Sequence, residues 1–423
     1  MKRNLFTQMR YDWLNNLWLI IGLTIMSLTI WYFSTSLLTI LRNYFTPLGF
    51  DKNDVYVMEI GRVRGDAPDF IPPSEDNPQQ DNDDLKSLLA MIRENPNVEA
   101  AGFSDNATPF SWGYNGNKLF LEDDDTIGYH GNERRISPEV VKVLRLQSYT
   151  GKDLDYLQSK LEAGEILVAH TNEDIVLEPL DEERRNFFIG RSGDELNGKN
   201  VRDYGGRSYH VADLINLIRS SAYEEYFSRG GIVYPIDESG PINARDILVR
   251  VKPGCGNKFY EEYISSPEHM RRRNIYLQKP VKLTDMEKSM ERRGDVNVRL
   301  YSSVIMLVLI IVLLGLFGTF WFRVQQRVGE IAIRRVCGAS RSDIFRRLIG
   351  EGMILFVGAC LLTALIGWYA IGKLNLDEGF STKELIWLEI ATMVLVAVGI
   401  VLSILGPAWM AMRINPAEAV KDE

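Results

Sequence analysis

With 423 residues the chain is long enough for two or three domains. Its formal charge of −8 is unevenly spread: from Arg42 to Leu300, 34 Lys and Arg stand against 45 Asp and Glu, and elsewhere 14 stand against 11. An acidic middle block argues against a nucleic-acid partner, and three cysteines without a CxxC pair, with four scattered histidines, argue against a disulfide framework or a metal centre.

Residues 1–16 alternate basic and apolar side chains at helical spacing, with Leu5, Phe6, Met9, Trp13 and Leu14 on one face. This pattern predicts a cytoplasmic interfacial helix on the inner leaflet, with a frayed tail as the plainer alternative. Residues 17–41 carry no charge. At about 1.5 Å per residue they extend roughly 37 Å, beyond the ~30 Å of a hydrocarbon core. The run is too long for a signal-peptide apolar core and no small-x-small cleavage site follows, so it reads as an uncleaved transmembrane anchor.

Residues 42–300 form the large polar block. Strands are predicted at Val55–Ile60, Ile166–His170, Ser208–Ala212, Gly231–Ile236 and Ile247–Val251, which are rich in Val, Ile and Tyr. Helices are predicted at Asp84–Glu94, Ser137–Leu144, Lys258–Arg272 and Thr284–Arg293, with Pro138 at the first turn of the second. The element order implies an α+β domain instead of a wound βαβ sheet. The Pro- and Asp-rich stretch Asp66–Asp84 reads as an exposed loop. The acidic run Glu122–Asp125 reads as a solvated loop, with a divalent-cation site as the sharper alternative. No nucleophile elbow, P-loop, HExxH or dinucleotide turn is present, and Gly254-Cys255-Gly256 is a turn. The block reads as a binding or transmission module.

Three further apolar runs follow, at 301–322, 352–372 and 385–407, each close to the ~20 residues a membrane requires. Gly315, Gly318, Gly358, Gly367 and Gly399 in these runs suit close helix contacts. Glu351 lies one turn after Arg347 and reads as an interfacial ion pair or a moving hinge contact. Glu389, one turn into the last run, reads as a residue that snorkels. So little internal polarity speaks against a secondary transporter with a midplane site.

The short-loop charges set the orientation. Lys2, Arg3 and Arg10 precede the first span, seven arginines lie in residues 323–351, and Arg413 and Lys421 lie in the tail at 408–423. With four spans all three segments share one side, the cytoplasmic one, leaving residues 42–300 and the short loop at 373–384 outside. The 323–351 loop is patterned as well as basic. Up to Arg347 its seven arginines face only Glu330 and Asp343, a net +5, and Val328, Ile331, Ile333, Val336 and Ile344 make an apolar stripe interleaved with the charge. A break at Cys337–Ser340 precedes a fresh helix start. This is the pattern of a small amphipathic docking element for a cytoplasmic partner.

The stretch Glu330–Ile344, EIAIRRVCGASRSDI, resembles the GEIGIRRALGASRRDI motif of FtsX-like permeases, and the tail from Pro407 to Val420 resembles that family's PA…PxEAL ending. The layout of four spans with a large outer domain between the first two is also similar. The resemblance is sharp from about Tyr301 onward. It is weaker at Arg134–Leu154 and Ile247–Gly254, and Ala212–Leu217 departs from the family's VVGVV-like strand. It implies an α-helical membrane protein with a MacB-like α+β core outside, multi-pass in a bacterial inner membrane. No Walker motif occurs in the sequence, so the resemblance implies a permease subunit, not an enzyme, whose ATP and Mg are bound by a partner ABC ATPase. Further implied partners are a second permease chain, identical or not, membrane lipid, and a periplasmic adaptor or enzyme. The residues expected to dock the ATPase are Glu330, Ile331, Arg334, Arg335, Gly338, Ala339, Ser340, Asp343 and Ile344: the two arginines to pair with acids, Gly338 to permit the turn, and Ser340 or Asp343 to cap the next helix. The work implied is ATP-driven motion of the outer domain for export or efflux. The alternatives are relay to an outer enzyme such as a cell-wall hydrolase, or release of lipoproteins.

Overall fold

The computed structural model describes residues 13–72, 79–111, 113, 115–170, 192–223, 230–266, 270–326, 328–373 and 382–413. The expected interfacial helix at 1–16 falls mostly outside these residues, as do most of the loop at 373–384 and the tail beyond Arg413. The chain divides into two compact units, one made of residues 42–295 and the other of residues 1–41 and 296–423.

The 42–295 unit is built on a twelve-stranded sheet. Its strands are β1 (Val55–Arg62), β2 (Val98–Asp105), β3 (Gly116–Leu121), β4 (Asp124–Ile136), β5 (Ile166–Ala169), β6 (Asn200–Asp203), β7 (Ser208–Ile215), β8 (Gly231–Pro235), β9 (Asp246–Val251), β10 (Arg271–Arg272), β11 (Ile275–Leu277) and β12 (Val281–Lys282). Most pairings are antiparallel; β4–β8 and β5–β7 are parallel. This is the α+β arrangement expected from the sequence.

In one half, β1, β9 and β2 pair side by side and are covered on both faces. Tyr56, Met58, Ile247, Val249 and Phe103 face the helix Gln80–Glu94 and the helix Gly256–Ser265, through Leu85, Leu88, Ile92 and Phe259. Val55, Val57 and Leu248 face the opposite way, against Val140, Val141, Leu144, Leu157 and Leu283. In the other half the pairings β4–β3–β6–β7–β5–β8–β4 close into a ring. Leu119, Tyr129, Val168, Val201, Val211 and Ile232 form a separate core there.

Several expectations need correction. The helix expected from Asp84 begins at Gln80, inside the stretch expected to be loop, because Leu85, Leu88, Leu89 and Ile92 share one buried face that draws the preceding turn into the helix. The helix expected over Lys258–Arg272 stops at Ser265, and Arg271–Arg272 are a strand. Ser137 does not cap the helix Val140–Leu144; its hydroxyl accepts a hydrogen bond from the Phe103 N–H at 3.1 Å. Glu122 and Asp123 stand at the tip of a β3–β4 hairpin in which Leu121 pairs with Asp124.

The other unit is helical. Among the described residues the helices in chain order are α1 (Trp13–Phe45), α2 (Gln80–Glu94), α3 (Val140–Leu144), α4 (Leu154–Glu162), α5 (Gly256–Ser265), α6 (Leu283–Gln326), α7 (Val328–Val336), α8 (Arg341–Lys373) and α9 (Thr382–Arg413). Four of them, α1, α6, α8 and α9, are long and apolar enough to cross a membrane. The segments expected at Thr284–Arg293 and 301–322 are one continuous helix, α6. Leu23 and Ile30 of α1, Leu316 and Phe320 of α6, Leu355 and Ala359 of α8, and Val396 and Ile400 of α9 share one core. Gly358 abuts Ile20, Gly399 abuts Leu313 and Gly367 abuts the Glu389 carboxylate, whereas nothing lies within 4 Å of where a Cβ on Gly315 or Gly318 would be. Glu389 does not snorkel: it is buried, its carboxylate turned onto the Gly367 backbone.

Candidate functional site: the basic loop between the second and third apolar runs

Residues 328–351 fold as a helix, a tight turn and a second helix start. α7 is amphipathic, and the structure splits the apolar stripe into two faces. Ile331, Ala332 and Ile344 are buried, and Ile331 and Ile344 join the core of the helical unit with Val324 and Leu348. Ile333 and Val336, three residues apart, are 53% and 68% exposed. Ile331 and Ile344, expected as docking residues, therefore anchor the loop to the helices beneath it. Ile333 and Val336 form the apolar ridge that remains open to a partner. Their i, i+3 spacing opposite Ile331 was the available sequence signal.

The turn is fixed by backbone geometry. Gly338 has φ +95, a conformation that L side chains rarely adopt. The Ala339 N–H donates to the Arg334 carbonyl at 3.0 Å, the long bond of a Schellman ending with Gly338 at the left-handed position. The next helix starts with a reciprocal cap. The Ser340 Oγ accepts from the Asp343 N–H at 3.2 Å, and the Asp343 carboxylate accepts from the Ser340 N–H at 3.1 Å and from its hydroxyl at 2.7 Å. Both residues cap, where the sequence offered either.

Two ion pairs flank the turn. Arg334 pairs with Glu330 one turn earlier in α7, and Arg347 Nε lies 3.8 Å from the buried Glu351. Arg334, expected to meet an acid on a partner, is thus engaged within its own helix. The backbone of Arg335 lies in α7; its side chain is outside the described atoms. Glu330, Ile331, Arg334, Ala339, Asp343 and Ile344 line one crevice of about 60 Å³, closed at the back by Arg347, Leu348 and Glu351. Six of the nine expected residues are brought together in this way. Leu348 and Glu351 complete the crevice and were not among them. Among the described residues the assembly shows no catalytic constellation: it is a cationic, capped elbow with an apolar ridge.

Residues 302–416 match the model of the FtsX-like permease C-terminal family. That segment is similar to the C-terminal part of FtsX-like permeases. Macrolide export ATP-binding/permease protein MacB of Rhodopirellula baltica is 32% identical to the chain over 117 residues. That match covers 26% of this chain and 16% of MacB, so the chain aligns with well under a quarter of that relative's length. The extracellular domain of the noncanonic ABC-type transporter YknZ from Gram-positive bacteria aligns with a TM-score of 0.30 and 9% identity, over 52% of this chain and 99% of that chain.

The 42–295 unit has a larger cleft of its own, about 570 Å³, lined by Arg93, Glu139, Leu161, Glu162, Ile236 and Glu238 among others. Arg93 spans it, with Nε 2.7 Å from Glu139 and the guanidinium end on both oxygens of Glu238 at 3.1 and 3.2 Å. Burial pushes the Glu139 carboxyl up against the pull of Arg93, and the charge of Glu238 adds to the rise.

Proposed function

We propose that the chain is the non-enzymatic permease subunit of an ABC transporter in a bacterial inner membrane, and that the 328–351 elbow receives a separate ABC ATPase, which binds ATP and Mg. The observation that carries this reading is the elbow itself. Its inner face is buried in the helical unit while Ile333 and Val336 stay open beside a net positive charge, so a load applied to the ridge passes to α6 and α8 through Ile331, Ile344 and Leu348. The 42–295 unit lies on the other side of the membrane in this arrangement, and the subunit works as a pair of permease chains with α1 and α6 carrying displacement outward. The similarity to MacB, a macrolide export protein, supports export as the direction of work.

Affinity purification of the tagged full-length chain from native membranes tests this reading. An ABC ATPase is expected to accompany it and to be lost in Arg335→Glu, with the permease still folded and membrane-inserted. Retention of the ATPase by Arg335→Glu and Gly338→Trp together contradicts the docking assignment.

A further inference from the structure

The chain passes between its two units twice, between Leu41 and Arg42 and between Asp295 and Val296. Both crossings lie inside helices, α1 and α6. Within five residues of each crossing, on the 42–295 side, the helix is fastened to one and the same segment, residues 216–223, which directly continues strand β7.

At α1 the fastening is Arg219. Its Nη1 donates to the Asn43 carbonyl at 2.5 Å and to the Thr46 carbonyl at 2.9 Å, and its Nη2 donates to Ala222 O at 2.8 Å. The carbonyls at a helix C-terminus lack partners within the helix, and a cation there also meets the favourable end of the helix dipole. At α6 the fastenings are Ala222 and Tyr223. The Ala222 N–H donates to Glu291 at 3.0 Å, and the Tyr223 hydroxyl donates to Asp295 at 2.6 Å. The Tyr223 ring lies on the backbone of Gly294, where an added Cβ would come within 2.1 Å of it. The same ring lies 5.5 Å from that of Tyr44 in α1. Asn43, Arg219, Ala222 and Glu291 are all at least nine-tenths buried.

The segment is held equally firmly to the sheet. Buried Arg134 of β4 donates to the Ile218 carbonyl at 2.8 Å, and the Phe110 N–H donates to Ser220 O at 2.8 Å. Gly49 packs so close to the Leu217 carbonyl that a Cβ there would come within 2.2 Å of it. Buried polar groups paired in this way resist separate movement, because opening any one of these bonds leaves costly unpaired groups.

We propose that residues 216–223 are the mechanical joint of the protein, a single strap that ties the α1 and α6 crossings to each other and to β7, so that displacement of either helix reaches the sheet through Arg219 and Tyr223. Its purpose rests on the relay reading above; its existence as a coupled unit does not. A strap of this kind makes the two helix ends thermodynamically linked, each loosening when the other is released.

Hydrogen exchange of the full-length chain in nanodiscs, without any ATPase, tests the linkage. Arg219→Met removes the donors to α1 together with the bond to Ala222 O inside the segment, and the expected result is about tenfold faster exchange both at residues 42–46 and, remotely, at residues 291–295 of α6. Tyr223→Phe removes the bond to Asp295 only, and a smaller acceleration of the same two segments is expected. Acceleration confined to the helix each residue touches overturns the joint. If Arg219→Met also unprotects β1 and β9, and so unfolds the unit, the milder Tyr223→Phe decides by the same criterion. Loss of ATPase binding at the elbow would leave these patterns unchanged, so the two readings fail separately.

Discussion

Replacing Gly338 isolates backbone conformation from contact. A Cβ at this position meets nothing within 4 Å, so side-chain crowding contributes nothing. What remains is φ +95, beyond the centre of the left-handed well. An L residue held in left-handed geometry costs roughly 1–2 kcal/mol, and asparagine, which tolerates that region better than other non-glycine residues, costs less. If the ATPase binds only the elbow with α7 closed onto α8, that cost is paid from binding. At 1.4 kcal/mol per decade it lowers affinity about five- to thirtyfold for Gly338→Ala. Titration of the purified ATPase against the permease in nanodiscs reads this directly. The order Gly, Asn, Ala, Val is expected, with the 42–295 unit melting unchanged. Native affinity in Gly338→Val would refute the reasoning, because a β-branched residue is the least tolerant of positive φ.

The reciprocal cap at Ser340 and Asp343 gives a second outcome. Ser340→Ala should weaken the start of α8 by about 1 kcal/mol, Asp343→Ala should weaken it in the same direction, and the double variant should cost less than the sum, since both belong to one cap; exchange rates of the 341–345 amides measure this. In the 42–295 unit, burial pushes Asp246 up to about 6 against the hydrogen bond from Thr108 at 2.6 Å. The folded form holds its proton more tightly than the unfolded chain, so its contribution is present at low pH and lost as pH rises from about 4 through about 6. Between pH 5 and pH 7 the loss is about 1 kcal/mol. Asp246→Asn should remove that part of the pH dependence and raise the melting temperature at pH 7; a steeper loss of stability above pH 6 in the variant would contradict the assignment.

The four apolar helices and the capped elbow were legible because each rests on local chemistry: uncharged runs of membrane length, a glycine where the chain must turn left-handed, and a Ser-x-x-Asp spacing. The outer unit was only half legible. The stretches Val55–Met58 of β1 and Ile247–Val249 of β9 are continuously apolar because both faces are covered, and they stand out in the sequence. Strand β2, VEAAGFSD, and strand β4, DDTIGYHGNERRI, carry Ala, Gly and acids that disfavour strands in isolation. Their partners, β9 and β3 among others, hold them in the sheet. The division of the loop's apolar stripe into anchor and ridge was beyond the sequence for another reason. Val328, Ile331, Ile333 and Val336 all read as apolar, and only packing against Val324 and Leu348 shows which way the helix is turned.

Cys337 sits on the elbow itself and is exposed, which makes it a native reporter of the central claim. With Cys255 and Cys360 replaced by alanine, a membrane-impermeant maleimide should label Cys337 in inside-out vesicles and not in intact cells, and the ATPase that co-purifies with the chain should protect it. Labelling from the outside, or labelling at the same rate with the ATPase bound, would contradict the account.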